Sequence, residues 1–184
     1  MFINMDYAEK LKQFNGTLKY NLEHKFLCSL IGNGKLKILD YGCGLGASVL
    51  KINAYTNHAA HGFDVEDYNP EFSYLKPYEF DTYDVIYFMH SIAHIQYLDV
   101  TLKKIKVFLK PGGRIIVVTP NRDWVEENKN DSYKPDPTVI KHFNQSELID
   151  LFESCGFTIE QSGQFGQVSG IVNERIYLVA KWAQ

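Results

Sequence analysis

The chain has 184 residues, 45% of them hydrophobic and 22% charged, and carries a formal net charge of −3. That length suits one domain with a sizeable core, and the composition is that of an ordinary globular protein. Lysine and arginine are spread along the chain, so no basic stripe points to nucleic acid and none is expected as a partner.

Residues 17–31 read as a helix, with Leu18, Leu22, Phe26 and Leu30 at i, i+4 spacing and Gly32 and Gly34 to stop it. Leu36, Ile38 and Leu39 form a short apolar run that reads as a buried strand, closed by Asp40. Gly42, Gly44 and Gly46 then open a helix over 45–54, apolar at Leu45, Val49, Leu50 and Ile52. Glycines at this spacing let the backbone turn sharply and lie flat against a ligand. The first-turn N–H groups of the helix lack intrahelical partners and point at whatever lies there. A carboxylate such as Asp40 has no use for a phosphate but suits an ammonium or hydroxyl group. The loop therefore reads as a site for a nucleoside that carries positive charge.

Residues 58–63 make a second strand, ending at His61-Gly62-Phe63-Asp64. An ionised carboxylate there has only acceptors and can take two hydroxyl protons; a turn or N-cap aspartate is the simpler alternative. Residues 65–82 contain Pro70, Pro77 and five Tyr or Phe, which leaves room for a shortened third strand near Phe72–Leu75. Tyr83–Phe88 reads as a fourth strand, followed by His90 and His94. A helix over 96–109 places Leu98, Leu102, Ile105 and Leu109 on one face. Leu109–Pro120 combines a turn with a fifth strand, and Pro111-Gly112 fits a type II turn. Asn144 to Glu147 reads as a helix N-cap with an acid at the third position. Leu148, Leu151 and Phe152 give that helix its apolar face, and Gly156 ends it. Strands at Phe157–Glu160 and Ile171–Trp182 close the chain.

In this order the motifs resemble those of the S-adenosylmethionine-dependent methyltransferases with the Rossmann-like fold, of the small single-domain type. Asp40-x-Gly42-x-Gly44-x-Gly46 after an apolar strand is similar to the family's first motif. Asp64 is similar to its acidic residue after the second strand, which receives ribose hydroxyls. Met89-His90-Ser91-Ile92-Ala93-His94-Ile95 and the Leu109–Pro120 segment match its later stretches, so the likeness spans residues 17–182. It implies an α/β fold, a doubly wound sheet of about seven strands, mostly parallel with an antiparallel C-terminal strand and helices on both faces. It implies one domain over 1–184, S-adenosylmethionine as cofactor and S-adenosylhomocysteine as product. The cofactor-binding residues it implies are Asp40, Gly42, Cys43, Gly44, Gly46, Asp64, Val65 and His90. Residues 1–31 become an N-terminal helical segment over the cofactor site, with Tyr7 and Phe14 placed to contact ligand. Asp81 is the candidate for an adenine contact. Residues 121–143 form a long polar connection after the fifth strand, at the sheet edge where ligands bind. They read as a substrate lid with Trp124, Tyr133 and Phe143 available to an acceptor.

A sulfonium methyl group is already activated, so positioning can supply much of the rate, and a base is needed only where the nucleophile must lose a proton. No catalytic residue is assigned; His90, His94 and His142 are the candidate bases. The expected acceptor is a small molecule. Gly42-x-Gly44-x-x-Ala47 also satisfies a relaxed dinucleotide fingerprint, so a nicotinamide-dependent oxidoreductase is one alternative, and a non-catalytic cofactor-binding module is another. Cys28, Cys43 and Cys155 are odd in number and far apart, which argues for a reducing compartment and against a zinc site. No window approaches the ~18 apolar residues of a membrane span, and no leader pattern precedes the first helix. The expectation is a cytoplasmic monomer or homodimer without a metal or a membrane partner.

Overall fold

The computed structural model describes residues 9, 12–13, 15–79, 81–128, 136–169 and 172–182, with side chains left out at 78, 167–169 and 172. Tyr7, Phe14 and Tyr133 lie outside these residues. The elements are α1 (Leu18–Ile31), β1 (Lys37–Tyr41), α2 (Ala47–Tyr55), β2 (Ala59–Phe63), β3 (Tyr83–Met89), α3 (Leu98–Ile105), β4 (Leu109–Pro120), α4 (Arg122–Asn128), α5 (Gln145–Ser154), β5 (Phe157–Ser169) and β6 (Val172–Trp182). The sheet runs in the order β2-β1-β3-β4-β6-β5. Its first four strands are parallel, and β6 is antiparallel to both β4 and β5.

Strand residues alternate between the two faces, and the core divides accordingly. Leu39, Ile86, Phe88, Ile115 and Val117 pack with Leu102, Ile105, Leu148 and Phe152 of α3 and α5. Ile38, Val85, Tyr87, Ile116 and Val118 pack with Leu27, Ile31, Val49 and Ile52 of α1 and α2. Both faces are covered by helices, which is why the parallel strands read as continuous apolar runs. The capping box at Asn144 and Glu147 forms as expected, and it starts α5.

Three expectations need correction. The sheet has six strands among the described residues, not about seven. The strand expected near Phe72–Leu75 is a single parallel bridge from Tyr74 to Gly62, with the Leu75 amide donating to the Gly62 carbonyl at 2.8 Å. Pro70 and Pro77 bracket it, and Phe72 turns away from the ladder to lie on the glycine loop. A Cβ on Gly46, whose φ is +77°, would stand 2.3 Å from the Phe72 ring. The apolar face of α1 is also not the one that the leucine spacing gives. Leu18 and Leu22 are 75% and 57% exposed, while Tyr20, Glu23, His24, Leu27 and Ile31 are buried. In α2, Leu50 faces solvent while Val49 and Ile52 enter the core.

Gly46→Ala meets both a positive φ and the Phe72 ring. It should lower stability by about 2–4 kcal/mol, about 1–2 of it from the left-handed backbone and the rest from overpacking. In a Phe72→Ala background the same change should cost less, by about 1–2 kcal/mol, because only the backbone part remains. Urea unfolding of the four proteins measures the coupling. Strict additivity would mean that the ring contact carries no strain.

Candidate functional site

The chain leaves β1, crosses to β2 on one side and returns to β3 on the other. The carboxyl ends of β1 and β3 therefore flank a switch point, the crevice where open α/β sheets place ligands. The segment that follows β1 is Gly42-Cys43-Gly44-Leu45-Gly46, and the one that follows β3 is His90-Ser91. The two ends are bound to each other. Ser91 Oγ donates to the Tyr41 carbonyl at 2.6 Å, and a Cβ on Gly42 (φ +88°) would sit 2.3 Å from Ser91 Cβ. Only glycine lets the strands approach this closely.

The loop amides do not point outward. Gly42 N and Cys43 N both donate to the Phe63 carbonyl, at 2.8 and 3.0 Å, and Gly46 N donates to the Cys43 carbonyl. Gly44 N donates to Asp64 Oδ2 at 2.7 Å, while Tyr74 Oη donates to the Gly44 carbonyl at 2.7 Å. These four amides are satisfied inside the protein. The expectation of unpartnered donors concerned the first-turn amides of the helix that follows, and these four loop amides do not bear on it.

A carboxyl group is presented instead. A cavity of about 80 Å3 is lined by Asp40, Gly42, Cys43, Gly44 and His90, together with Asn15, Tyr20, Leu45, Ser48 and Met89. Asp40 is 2% exposed. Its Oδ2 accepts from Tyr87 Oη at 2.8 Å, and Tyr87 Oη in turn holds Ser48 Oγ at 2.8 Å. Its Oδ1 is buried without a hydrogen-bond partner. Burial pushes Asp40 up to about 8 against the Tyr87 hydrogen bond, and the nearby Asp64 charge adds to the rise. Tyr20 and Tyr87 are both held protonated, first by burial and then by Asp40. Burial likewise keeps the Cys43 thiol protonated.

His90 enters the cavity from the end of β3 with φ +63°, a conformation uncommon for a non-glycine residue. Its amide donates to the Val118 carbonyl. Nε2 bonds Glu23 Oε2 of α1 at 2.5 Å, and Glu23 Oε1 faces Arg175 Nε of β6 at 2.8 Å. Arg175 also pairs with Glu174 at 3.3 Å, and Glu174 with Lys19. Burial alone would raise Glu23, but the His90 hydrogen bond and the charges of His90, Arg175 and Lys19 hold it below its ordinary value. Burial holds His90 down against the pull of Glu23.

Of the eight residues expected at the cofactor, Asp40, Gly42, Cys43, Gly44 and His90 line one cavity. Gly46, Asp64 and Val65 do not. Gly46 is packed under Phe72. Both Asp64 oxygens hold backbone amides, Gly44 N and Val65 N, each at 2.7 Å. Burial raises Asp64 above its ordinary value, opposed by the amides of Gly44, Val65 and Glu66 and by His94. Val65 is 83% exposed. Asp81 sits at the opposite, amino end of β3 in an ion pair with Lys37, so its expected adenine contact is corrected. Trp124 and Phe143 are buried at 5% and 6% exposure and cannot pack on an acceptor as they stand. His94 and His142 lie outside the cavity. Thr138 Oγ1 donates to Asp136 and bonds His94 Nδ1 at 2.8 Å, and burial followed by the nearby His94 pushes His142 down. Among the described residues no group of three or more His, Cys, Asp or Glu side chains is placed to hold a metal ion, and no helix is long and apolar enough to cross a membrane.

A doubly wound sheet whose switch point carries a closed glycine loop and a buried acid defines a Rossmann-like domain for a cationic nucleoside cofactor. The chain belongs to the S-adenosylmethionine-dependent methyltransferases: the family model described as a methyltransferase domain matches residues 7–162. A sterol 24-C-methyltransferase of Debaryomyces hansenii is 26% identical over 83% of this chain and 47% of its own length. A ubiquinone biosynthesis O-methyltransferase of Bartonella tribocorum is 30% identical over 62% of this chain and 56% of its own. The chain spans between a third and a little over half of the curated relatives it matches. Among solved structures, a SAM-dependent methyltransferase of Aquifex aeolicus superposes with a TM-score of 0.72 at 14% identity, over 96% of this chain and 98% of that one. The 1,6-didemethyltoxoflavin-N1-methyltransferase of Burkholderia thailandensis, crystallised with 1,6-didemethyltoxoflavin and S-adenosylhomocysteine, gives 0.70 at 16% identity, over 100% of this chain and 92% of that one.

The raised Asp40 carries a consequence for stability. The native state binds its proton more tightly than the unfolded chain, whose aspartates titrate near 3.9. The contribution is therefore full below about pH 4 and is lost as pH rises toward about 8. Asp40→Asn removes that loss. Its Tm, measured without ligand, should gain on the parent's progressively between pH 4 and 8, by several degrees in all, and then level off. A difference independent of pH would show that Asp40 ionises normally in the fold.

Proposed function

We propose that this domain transfers a methyl group from S-adenosylmethionine to a small-molecule acceptor, and that the acid-lined cavity receives the amino-acid end of the donor. The observation that carries the reading is the buried Asp40 Oδ1, which has no hydrogen-bond partner among the described residues and whose residue belongs to a cavity wall. An ammonium group supplies both the missing hydrogen bond and the missing charge, and such charge-assisted bonds are among the strong ones. When bound, the donor supplies a sulfonium-activated methyl group to an oxygen, nitrogen, sulfur or carbon nucleophile. A cavity of about 80 Å3 is small beside the roughly 300–1,000 Å3 of small-molecule pockets. It suits one end of the cofactor and leaves the adenosine outside it.

Asp40 holds the ammonium, and Gly42, Cys43 and Gly44 give the donor a flat backbone wall. His90 borders it through its backbone. After the amides of Gly44, Val65 and Glu66, Asp64 keeps acceptor capacity for a ribose hydroxyl. Gly46 acts indirectly by seating Phe72, and Val65 through its backbone. Asn15 and Tyr20 give the N-terminal segment one wall of the cavity. The small-molecule assignment draws on relatives named for sterols and for ubiquinone biosynthesis.

Titration calorimetry with S-adenosylhomocysteine tests this reading. The wild type should bind. Asp40→Asn should weaken binding by about 10–100-fold, the worth of one hydrogen bond to a charged group, and Asp64→Ala by about tenfold. Because Asp40 is protonated in the free protein at pH 7, binding an ammonium should release a proton there, seen as a dependence of the heat on the ionisation enthalpy of the buffer. The release should vanish in Asp40→Asn. A wild type that binds neither donor nor product would falsify the reading.

A further inference from the structure

We propose that the outer side of α1 and α2 is a docking surface for a lipid bilayer with anionic headgroups, engaged through Leu18, Leu22 and Lys25. This goes beyond the methyl-transfer reading and does not depend on it. The observation that carries it is a segregation of charge. The chain as a whole is acidic, at −3. Between Asn15 and Phe63 the only acidic residues are Glu23 and Asp40, and both are buried. The same stretch carries Lys19, Lys25, Lys35, Lys37 and Lys51. Acids resume at Asp64 and crowd the segment after it, at Glu66, Asp67, Glu71 and Glu79. One side of an acidic protein is thus left positive.

That side is also apolar. The two helices lie next to each other over the sheet: Lys51 Nζ of α2 donates to Asn21 Oδ1 of α1 at 2.5 Å, and His24 Nε2 bonds the Ser48 carbonyl at 3.4 Å. Leu18, Leu22 and Lys25 fall at i, i+4 and i+7, along one ridge of α1. Lys25 is exposed there. Leu18, Leu22, Leu50 and Tyr55 are each more than half exposed. One turn beyond Leu22, the half-buried Phe26 ring meets Phe165 at 4.1 Å and Tyr177 at 5.0 Å, so the apolar ridge continues to β5 and β6. Two of the lysines are answered within the protein, Lys19 by Glu174 and Lys37 by Asp81.

The residue types favour a lipid surface over a protein. Protein interfaces are enriched in arginine and tryptophan and depleted in lysine. Residues 15–63 contain no arginine and no tryptophan, and every cation there is a lysine. Lysine is a compact charge on a flexible stem. It lays its methylenes along apolar neighbours while the ammonium reaches outward. That suits phosphates whose positions are not fixed, with leucines entering the boundary between headgroup and acyl chain. Such a contact needs no spanning helix, and the described residues have none. The expectation of no membrane partner rested on the lack of a spanning segment, which does not bear on a surface contact. Tyr20, on the opposite side of α1, lines the cavity. A helix is about 10 Å across, so docking sets the cavity one helix away from the headgroups.

Co-sedimentation of the full chain with vesicles tests the proposal. The wild type should pellet with phosphatidylcholine vesicles containing about a third phosphatidylserine, and not with phosphatidylcholine alone. Binding should fall steeply between about 0.05 and 0.5 M salt. Lys25→Glu should weaken it about tenfold or more, since a lysine near such a surface is worth about fivefold and the substitution reverses its charge. Leu18→Ser combined with Leu22→Ser should reduce it to the level of phosphatidylcholine alone. These side chains are exposed, so the Tm of each variant should match the wild type, which separates lost docking from lost folding. Lys104→Glu, an exposed position on α3 over the other face of the sheet, should bind as the wild type does. Three results overturn the proposal. The wild type does not pellet with the anionic vesicles; Lys104→Glu weakens binding as much as Lys25→Glu, so that total charge and not this face decides; or the leucines are needed for a dimer seen by light scattering while vesicles are ignored, which gives the face to a second copy of the chain.

Discussion

Asp40 is a carboxyl group that the fold removes from water without completing its hydrogen bonds, and much of the site is arranged around that fact. One oxygen is held by Tyr87, and the other has no partner. A buried acid in this state keeps its proton, as the upward shift to about 8 indicates, and the empty protein gives up stability at neutral pH as a result. Local strain and unmet polar groups of this kind persist where the surrounding structure over-determines them. Here the surroundings are β1 and β3, which are held together by the Ser91–Tyr41 hydrogen bond and by the absence of a side chain at Gly42. A cation in the cavity would complete Asp40 at no cost in rearrangement, since Tyr87 and Ser48 already hold it in place.

Where the loop amides go favours the proposed cation over an anion. In a phosphate-binding loop the amides face the ligand. Here Gly42, Cys43 and Gly44 donate instead to Phe63 and Asp64 at the end of β2. The same short segment then fixes the loop from below, through Tyr74 on the Gly44 carbonyl and Phe72 against Gly46. Residues 65–82 thus exchange a regular strand for two aromatic anchors. The ladder hydrogen bonds of a full strand are lost, and the glycine loop is pinned in return. This is the physical reason that a segment with two prolines and five aromatics contributes a bridge to the sheet and not a strand.

The fold was legible in the sequence because its central strands are buried on both faces, and runs such as Ile115–Val118 have no other reading. The helix starts and stops at Asn144, Gly32 and Gly156 were equally plain, since each depends on local backbone chemistry alone. Asp40, Gly42, Gly44 and His90, expected together from order and spacing, line one cavity, whereas Gly46 does not. Glu23 and Arg175 were not expected beside them. The α1 pattern was read from Leu18, Leu22, Phe26 and Leu30, yet the buried face carries Glu23 and His24. A helix that buries polar residues against a site breaks the apolar period there, and the leucines left outside then supply a false one. Arg175 lies more than a hundred positions from Glu23, and no local rule links two such residues. Trp124 and Phe143 misled for the converse reason: aromatic residues in a polar connection read as ligand contacts, but they anchor the ends of that connection in the core.

The position of α1 ties these points together. It is the helix that closes the cavity with Tyr20, holds His90 with Glu23 and reaches β6 through Lys19 and Glu174. Its apolar contacts to the sheet come mainly from its second half, at Leu27, Leu30 and Ile31, while its first half is attached through charge. Hydrophobic packing is non-directional and tolerates small shifts, whereas the short Glu23–His90 bond and the Glu23–Arg175 pair lose strength with distance and angle. The helix is thus fixed in place by its apolar end and set in register by its polar end. That division lets one element serve as part of the core and as a wall of the cavity, with the ring of His90 held by the same contact that sets the register.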